Sequence, residues 1–221
     1  MKKFLIQSFL LINILFLFNF CSFRYHTGLK KNGNNYPDEN IIFSKDFEKV
    51  LFKTSIEAYG KYFSGLMFIK QMKADSSFRV VFLSEVGLKI FDFEFALNHK
   101  FDKNGKFKIH YCLEYLNKKV LINALQKDIE LILMNNIDDY KFKKYKGEEY
   151  IVYKGKYKGT KNYYFIENDN ITKIKRSGYL FKKVEIDLNN YKNSFPEKIS
   201  IKHKNIKLKI ELTVISVSKK I

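Results

Sequence analysis

Val50-Leu51-Phe52-Lys53-Thr54-Ser55-Ile56-Glu57-Ala58-Tyr59-Gly60-Lys61-Tyr62-Phe63-Ser64-Gly65-Leu66-Met67 decides the fold. Val50, Phe52, Thr54, Ile56 and Ala58 share one face, and Lys53, Ser55 and Glu57 the other. An apolar period of two over that length reads as a half-buried strand. Gly60-Lys61 then makes a tight turn into a second strand over 62–71, and residues 73–76 turn again into a third over 78–83. Ser84-Glu85-Val86-Gly87 leads to a fourth over 88–95, where Phe91, Phe93 and Phe95 share a face. A loop holding Asn104-Gly105 precedes a fifth over 106–112, with Phe107, Ile109 and Tyr111 alternating. The run is an antiparallel meander.

One segment breaks the period. Leu121, Leu125, Ile129 and Ile132 recur at steps of four, four and three, which predicts a helix over 118–134 with Asn117 as its N-cap. Lys118, Lys119, Gln126, Lys127 and Glu130 mark its wet face. Beyond it, residues 149–154, 161–167, 170–176 and 181–188 read as strands between Gly- and Asn-containing turns. Ile199 and Ile201, then Ile206, Leu208, Ile210 and Leu212, give the last pair. About ten strands and one helix make an α+β fold: a strongly curved antiparallel β-sheet, a half-open β-barrel, with the helix covering its concave face. With 22 Phe and 15 Tyr, the aromatics exceed what a thin sheet-and-helix core needs. They either line a lipid-sized cavity or fill a solid core.

The formal charge is +18, but 38 of the 41 basic residues are Lys and three are Arg (Arg24, Arg79 and Arg176). Base and phosphate recognition favours the planar, bidentate Arg, so the composition speaks against nucleic acid and allows attraction to an anionic membrane surface.

Met1-Lys2-Lys3 and the apolar run over 4–20 have the form of a secretory signal. Phe18-Asn19-Phe20-Cys21 stands where a bacterial lipoprotein carries its lipobox, and Cys21 is the expected lipidation site. Phe18 and Phe20 are bulkier than the residues usual there, which leaves open an uncleaved anchor, cleavage elsewhere or a Cys21–Cys112 disulfide. Residues 1–21 are then the signal, 22–40 a flexible tether rich in Gly, Asn and Lys, and 41–221 a single half-barrel-like domain. Cys112, among apolar neighbours, is expected to be an inert buried thiol.

No nucleophile elbow, Cys-x-x-Cys, helical His pair or Gly-rich phosphate loop is present, so neither catalysis, metal nor cofactor is expected. His110 and Cys112 share a strand face by alternation but make only half a zinc site, and no partner for His203 is evident. Asp92 and Glu94 share a face opposite the three phenylalanines and read as a solvated outer surface.

Residues 62–70, 78–82 and 87–95, with Phe195-Pro196-Glu197-Lys198-Ile199-Ser200-Ile201 and the alternation over 206–212, resemble bacterial outer-membrane lipoprotein-sorting proteins. These are the periplasmic carrier and the lipid-anchored receptor of the Lol (LolA/LolB-like) system, with related envelope lipoproteins. The resemblance implies a helix-lidded half-barrel with an apolar cavity for acyl chains such as palmitate. Phe91, Phe93, Phe95, Leu121, Leu125 and Ile129 are the candidate lining. It also implies a membrane-contacting apolar residue between the third and fourth strands, where this chain has Val86. The reading is an exported, lipid-anchored outer-membrane protein facing the periplasm, which binds an acyl chain or lipidated partner without catalysis. Its rivals are a structural envelope lipoprotein that docks a protein partner, and a basic polyanion-binding surface protein.

Overall fold

The computed structural model describes residues 29–31, 41–43, 47–72, 76–97, 105–134, 140–157, 160–178 and 182–219. Strands β1 (Lys30–Lys31), β2 (Phe47–Ala58), β3 (Lys61–Met72), β4 (Ser77–Ser84), β5 (Lys89–Ala96) and β6 (Phe107–Cys112) precede helix α1 (Lys119–Leu133). Strands β7 (Lys141–Lys146), β8 (Ile151–Tyr157), β9 (Thr160–Glu167), β10 (Asn170–Ser177), β11 (Lys182–Lys192), β12 (Phe195–His203) and β13 (Leu208–Lys219) follow it. The 13 strands among the described residues join one sheet in the order β1-β7-β8-β9-β10-β11-β12-β13-β2-β3-β4-β5-β6, every pairing antiparallel. Among the described residues its ends, β1 and β6, do not meet. The sheet is unclosed, as in a curved half-barrel.

The meander follows from its alternation and its turns. Ala58 pairs with Lys61 across a two-residue hairpin whose residues, Tyr59 (φ 48°) and Gly60 (φ 81°), are both left-handed, the turn that matches strand twist. It therefore lies one residue before the expected Gly60-Lys61. Gly65 is needed for a different reason. It lies between Thr54 of β2 and Ser84 of β4, so close to β4 that a Cβ there would overlap the Leu83 carbonyl oxygen.

The inner face of the sheet carries the core. Phe52, Ile56, Val80, Phe82, Phe91, Phe93, Phe95, Ile174, Ile186 and Ile199 have no exposed surface and belong to one buried cluster. Leu121, Leu125, Ile129 and Ile132 of α1 join the same cluster, as their spacing predicts. Asn117 is not the N-cap. Lys118 takes that place in extended conformation and its side chain makes no capping bond, so packing, not capping, holds the first turn. At the other end Met134 turns left-handed (φ 52°), and its N–H donates to the Glu130 carbonyl.

Two strands escape the expected pattern. β7 buries Phe142 and Tyr145, three residues apart and so on opposite faces, which leaves no period of two to detect. β1 lies within the stretch expected to be a tether, where Lys30 and Lys31 pair with Lys146 and Tyr145 of β7.

Candidate functional site

Phe91, Phe93 and Phe95 project inward from β5, each with no exposed surface. The Phe91 and Phe93 rings stack with centroids 4.4 Å apart, and Phe107 of β6 meets Phe93 edge-on at 5.3 Å. Together with Leu121, Leu125 and Ile129 of α1, the residues expected to line a cavity are thus gathered in one interior, in contact with protein on all sides. Surface cavities of about 260, 770 and 500 Å³ lie at the β9–β10 and β11–β12 turns, where β1 meets the β7–β8 turn, and beside the end of β13. None of these three takes a wall from the six residues.

A buried polar network adjoins this apolar interior, and the sequence reading missed it. Asp128 of α1 is fully buried, with its Oδ2 2.6 Å from His203 Nε2 of β12 and its Oδ1 unpartnered. Burial pushes the Asp128 carboxyl up, and the hydrogen bond and charge of His203, with Arg176 nearby, only partly offset this. Arg176 of β10, itself buried, donates to the Lys127 carbonyl of α1 at 2.9 Å and to Asn162 Oδ1 of β9 at 3.3 Å, while Asn162 Nδ2 donates to the Tyr140 hydroxyl. The guanidinium is hydrogen-bonded here to neutral oxygens, and its charge also acts on the nearby Asp128 and Glu130 carboxyls. Burial also pushes the Tyr164 hydroxyl well up, an effect that the Arg176 charge and a hydrogen bond with Asn162 only partly offset.

On the outer face of β5, Asp92 and Glu94 are not solvated. Their side chains are 5% and 9% exposed. Arg79 on β4 grips Asp92 through Nε and Nη2, and Lys89 adds a third contact at 3.0 Å. Glu94 accepts from Ser77 at 2.7 Å and lies 2.7 Å from His110 Nε2, with Arg79 Nη1 at 3.5 Å. Burial alone would raise both carboxyls, but these donors outweigh it and hold both below the usual carboxylate range. Charge-satisfied on every side, the cluster is a clasp joining β4, β5 and β6.

His110 reaches Glu94 because the β5–β6 register shifts. Phe93 faces Ile109 and Asp92 faces Tyr111, which leaves His110 as the extra residue of a β-bulge. The bulge separates it from Cys112, which lies opposite Phe91 and packs on the core, so the two do not share a face as alternation suggested. Burial pushes the free Cys112 thiol up to about 11. No group of three or more His, Cys, Asp or Glu among the described residues is placed to hold a metal ion.

Val86 is 81% exposed at the β4–β5 turn, beside Leu88 at 69%. The Glu85 carboxylate accepts from Ser64 at 2.8 Å, and the Leu88 N–H donates to Ser84 Oγ, so the turn is ordered while its apolar tip stays in solvent. Cys21 lies outside the described residues.

No family model matches the sequence, and no curated protein is similar to it. Solved structures do share its shape. A DUF1329 family protein from Desulfovibrio piger superposes with a TM-score of 0.52 at 6% identity, over 80% of this chain and 88% of that one. A domain provisionally assigned to outer-membrane lipoprotein sorting, from Vibrio parahaemolyticus, gives 0.48 at 9% identity over 77% and 84%. At 6% identity the first of these shares the fold alone.

Proposed function

We propose that the protein is a lipid-anchored envelope lipoprotein that takes an acyl chain, or the lipidated end of a partner, between the aromatic inner face of its sheet and helix α1, as a carrier or receptor and not a catalyst. The observation that carries this reading is the single buried cluster shared by α1 and the phenylalanines of β5 within a sheet whose ends do not meet. In such a half-barrel the helix covers the concave face, and an acyl chain can enter if it lifts, each methylene gaining ~0.8 kcal/mol on burial. Arg176 would receive the head group, and the exposed Val86 tip would touch the bilayer. The signal-like segment over 1–21, ending at Cys21, supports export and an anchor in the outer membrane facing the periplasm.

Native mass spectrometry of the purified protein, followed by titration with a fluorescent long-chain fatty acid, tests the reading. Saturable binding at one site is the expected result, and its absence from folded, delipidated protein defeats the proposal. The close packing of Phe91 on Phe93 favours a second reading, a scaffold with a solid interior that docks a protein partner.

A further inference from the structure

Register places a lysine array on the outer face at the β1 end of the sheet. Lys143, Lys154 and Tyr163 are cross-strand neighbours on β7, β8 and β9, and Lys141, Lys156 and Lys161 form the next row. Neighbouring strands are ~4.8 Å apart and alternate residues along a strand ~6.7 Å, so the Cα atoms of these five lysines lie on a grid of about that spacing, with the Lys154 ammonium over the Tyr163 ring at 5.8 Å. Like charges placed directly opposite one another destabilise a sheet, so cross-strand pairing gives no reason for the row Lys141, Lys156 and Lys161. β7, β8 and β9 hold a single carboxylate, Glu167, at the last position of β9. Farther along, Lys173 and Lys175 of β10 are paired with Glu185 and Asp187 of β11, which marks where the unbalanced region ends.

The path of the chain says what this face meets. β1 pairs with β7, and a Cβ on Gly147, in the β7–β8 turn, would touch Leu29. Eight residue steps separate Cys21 from Leu29, at most ~29 Å when fully extended. An anchor at Cys21 therefore holds the β7 end of the sheet beside the bilayer.

We infer that the outer face of β7, β8 and β9 docks on the anionic lipid surface of the membrane that holds the anchor. The inference rests on the lipid-anchor reading above. Lysines suit this partner: they meet head-group phosphates as mobile point charges and need no fixed geometry, whereas Arg79 and Arg176 are both engaged elsewhere in the fold. Tyr145, Val152 and Tyr163 on this same face are buried in a small cluster with Leu29, Tyr150 and Phe165, so the exposed lysines stand beside packed protein that holds their strands in place.

The test is amine footprinting of the full chain reconstituted into vesicles of phosphatidylglycerol and phosphatidylethanolamine, or of phosphatidylcholine alone. Labelling of Lys141, Lys143, Lys156 and Lys161 should fall at least about threefold on the anionic vesicles, and recover at ~0.5 M salt, where screening is nearly complete. Lys70, on the outer face of β3, should be unchanged. In the variant Lys143→Gln, Lys156→Gln, Lys161→Gln, all exposed or half-exposed positions, the remaining Lys141 should label equally on both vesicles. Equal labelling of wild type on both, with the protein anchored in both, overturns the inference and leaves the anchor standing. Failure to associate with phosphatidylcholine, with protection retained on anionic vesicles, supports the docking face and removes the anchor. Protection by a single-stranded oligonucleotide and by neither vesicle overturns the choice of lipid as partner.

Discussion

Phe93→Ala separates a carrier from a scaffold. The Phe93 side chain is wholly buried, stacked on Phe91 and met edge-on by Phe107. A buried Phe removes ~150–250 Å² from water, and losing most of that costs roughly 3 kcal/mol at ~25 cal/mol per Å². The two ring contacts add ~0.5–1.5 kcal/mol each. The ligand-free variant should thus lose stability at the upper part of the ~3–5 kcal/mol range for Phe→Ala, measured by urea unfolding. The cavity left between Phe91 and Phe107 is apolar and stays dry. If the interior admits acyl chains, three methylenes seated there regain ~2.4 kcal/mol, so a long-chain fatty acid should bind the variant at least about tenfold more tightly than wild type and restore part of its stability. Benzene-like solutes would enter the cavity in either case and serve as the control. Rescue by the small solute, with no saturable binding of the fatty acid to either protein, would refute the reasoning and leave a sealed core.

Arg79→Met strands the buried Asp92 beside Lys89 alone and should cost about 3 kcal/mol, the low end for breaking a buried pair because Arg79 is itself 30% exposed. Asp92 and Glu94 are held below their unfolded values, so their contribution is present above the unfolded carboxylate range and fades as pH falls through the folded pKa values. In the variant that loss should begin at higher pH, which urea midpoints from pH 7 to pH 3 will show. Gly65→Ala forces a methyl into the Leu83 carbonyl and should destabilise by roughly 2 kcal/mol or more, read from thermal unfolding. Cys112, half-buried and with its thiol raised to about 11, should alkylate slowly in native protein at pH 8 and fast after denaturation. Cys21→Ser should abolish incorporation of a fatty-acid analogue in cells, and equal labelling of both chains would remove the lipoprotein reading.

The sheet was legible wherever one side of a strand is wet. Along β2 the burial alternates almost without a break over its inner positions, and the period of two gives it away. β5 shows what alternation cannot tell. Its phenylalanines point inward as expected, yet Asp92 and Glu94 are buried as well, because Arg79 on the neighbouring strand and a bulge at His110 bring hydrogen-bonding partners over them. The hairpin register could have revealed Arg79 opposite Glu94, but nothing local to residues 107–112 announces a bulge. His203 and Asp128, 75 residues apart, meet only once α1 packs across β12.

That same non-local pair bears on how α1 could part from the sheet. Its C-terminal half is tied twice, through Asp128 to His203 and through the Lys127 carbonyl to Arg176, and buries Leu131, Ile132 and Leu133 as well. Its first turn has no side-chain cap and no acidic residue to complement the helix dipole, Val120 is 55% exposed, and Leu121 and Leu125 are the residues it buries. Local opening begins where the fewest buried contacts and the weakest end effects coincide, which is here the N-terminal half of the helix. An opening there frees Leu121 and Leu125 from the core while Arg176 stays bonded to the Lys127 carbonyl, so the helix would part from its N-terminal end first.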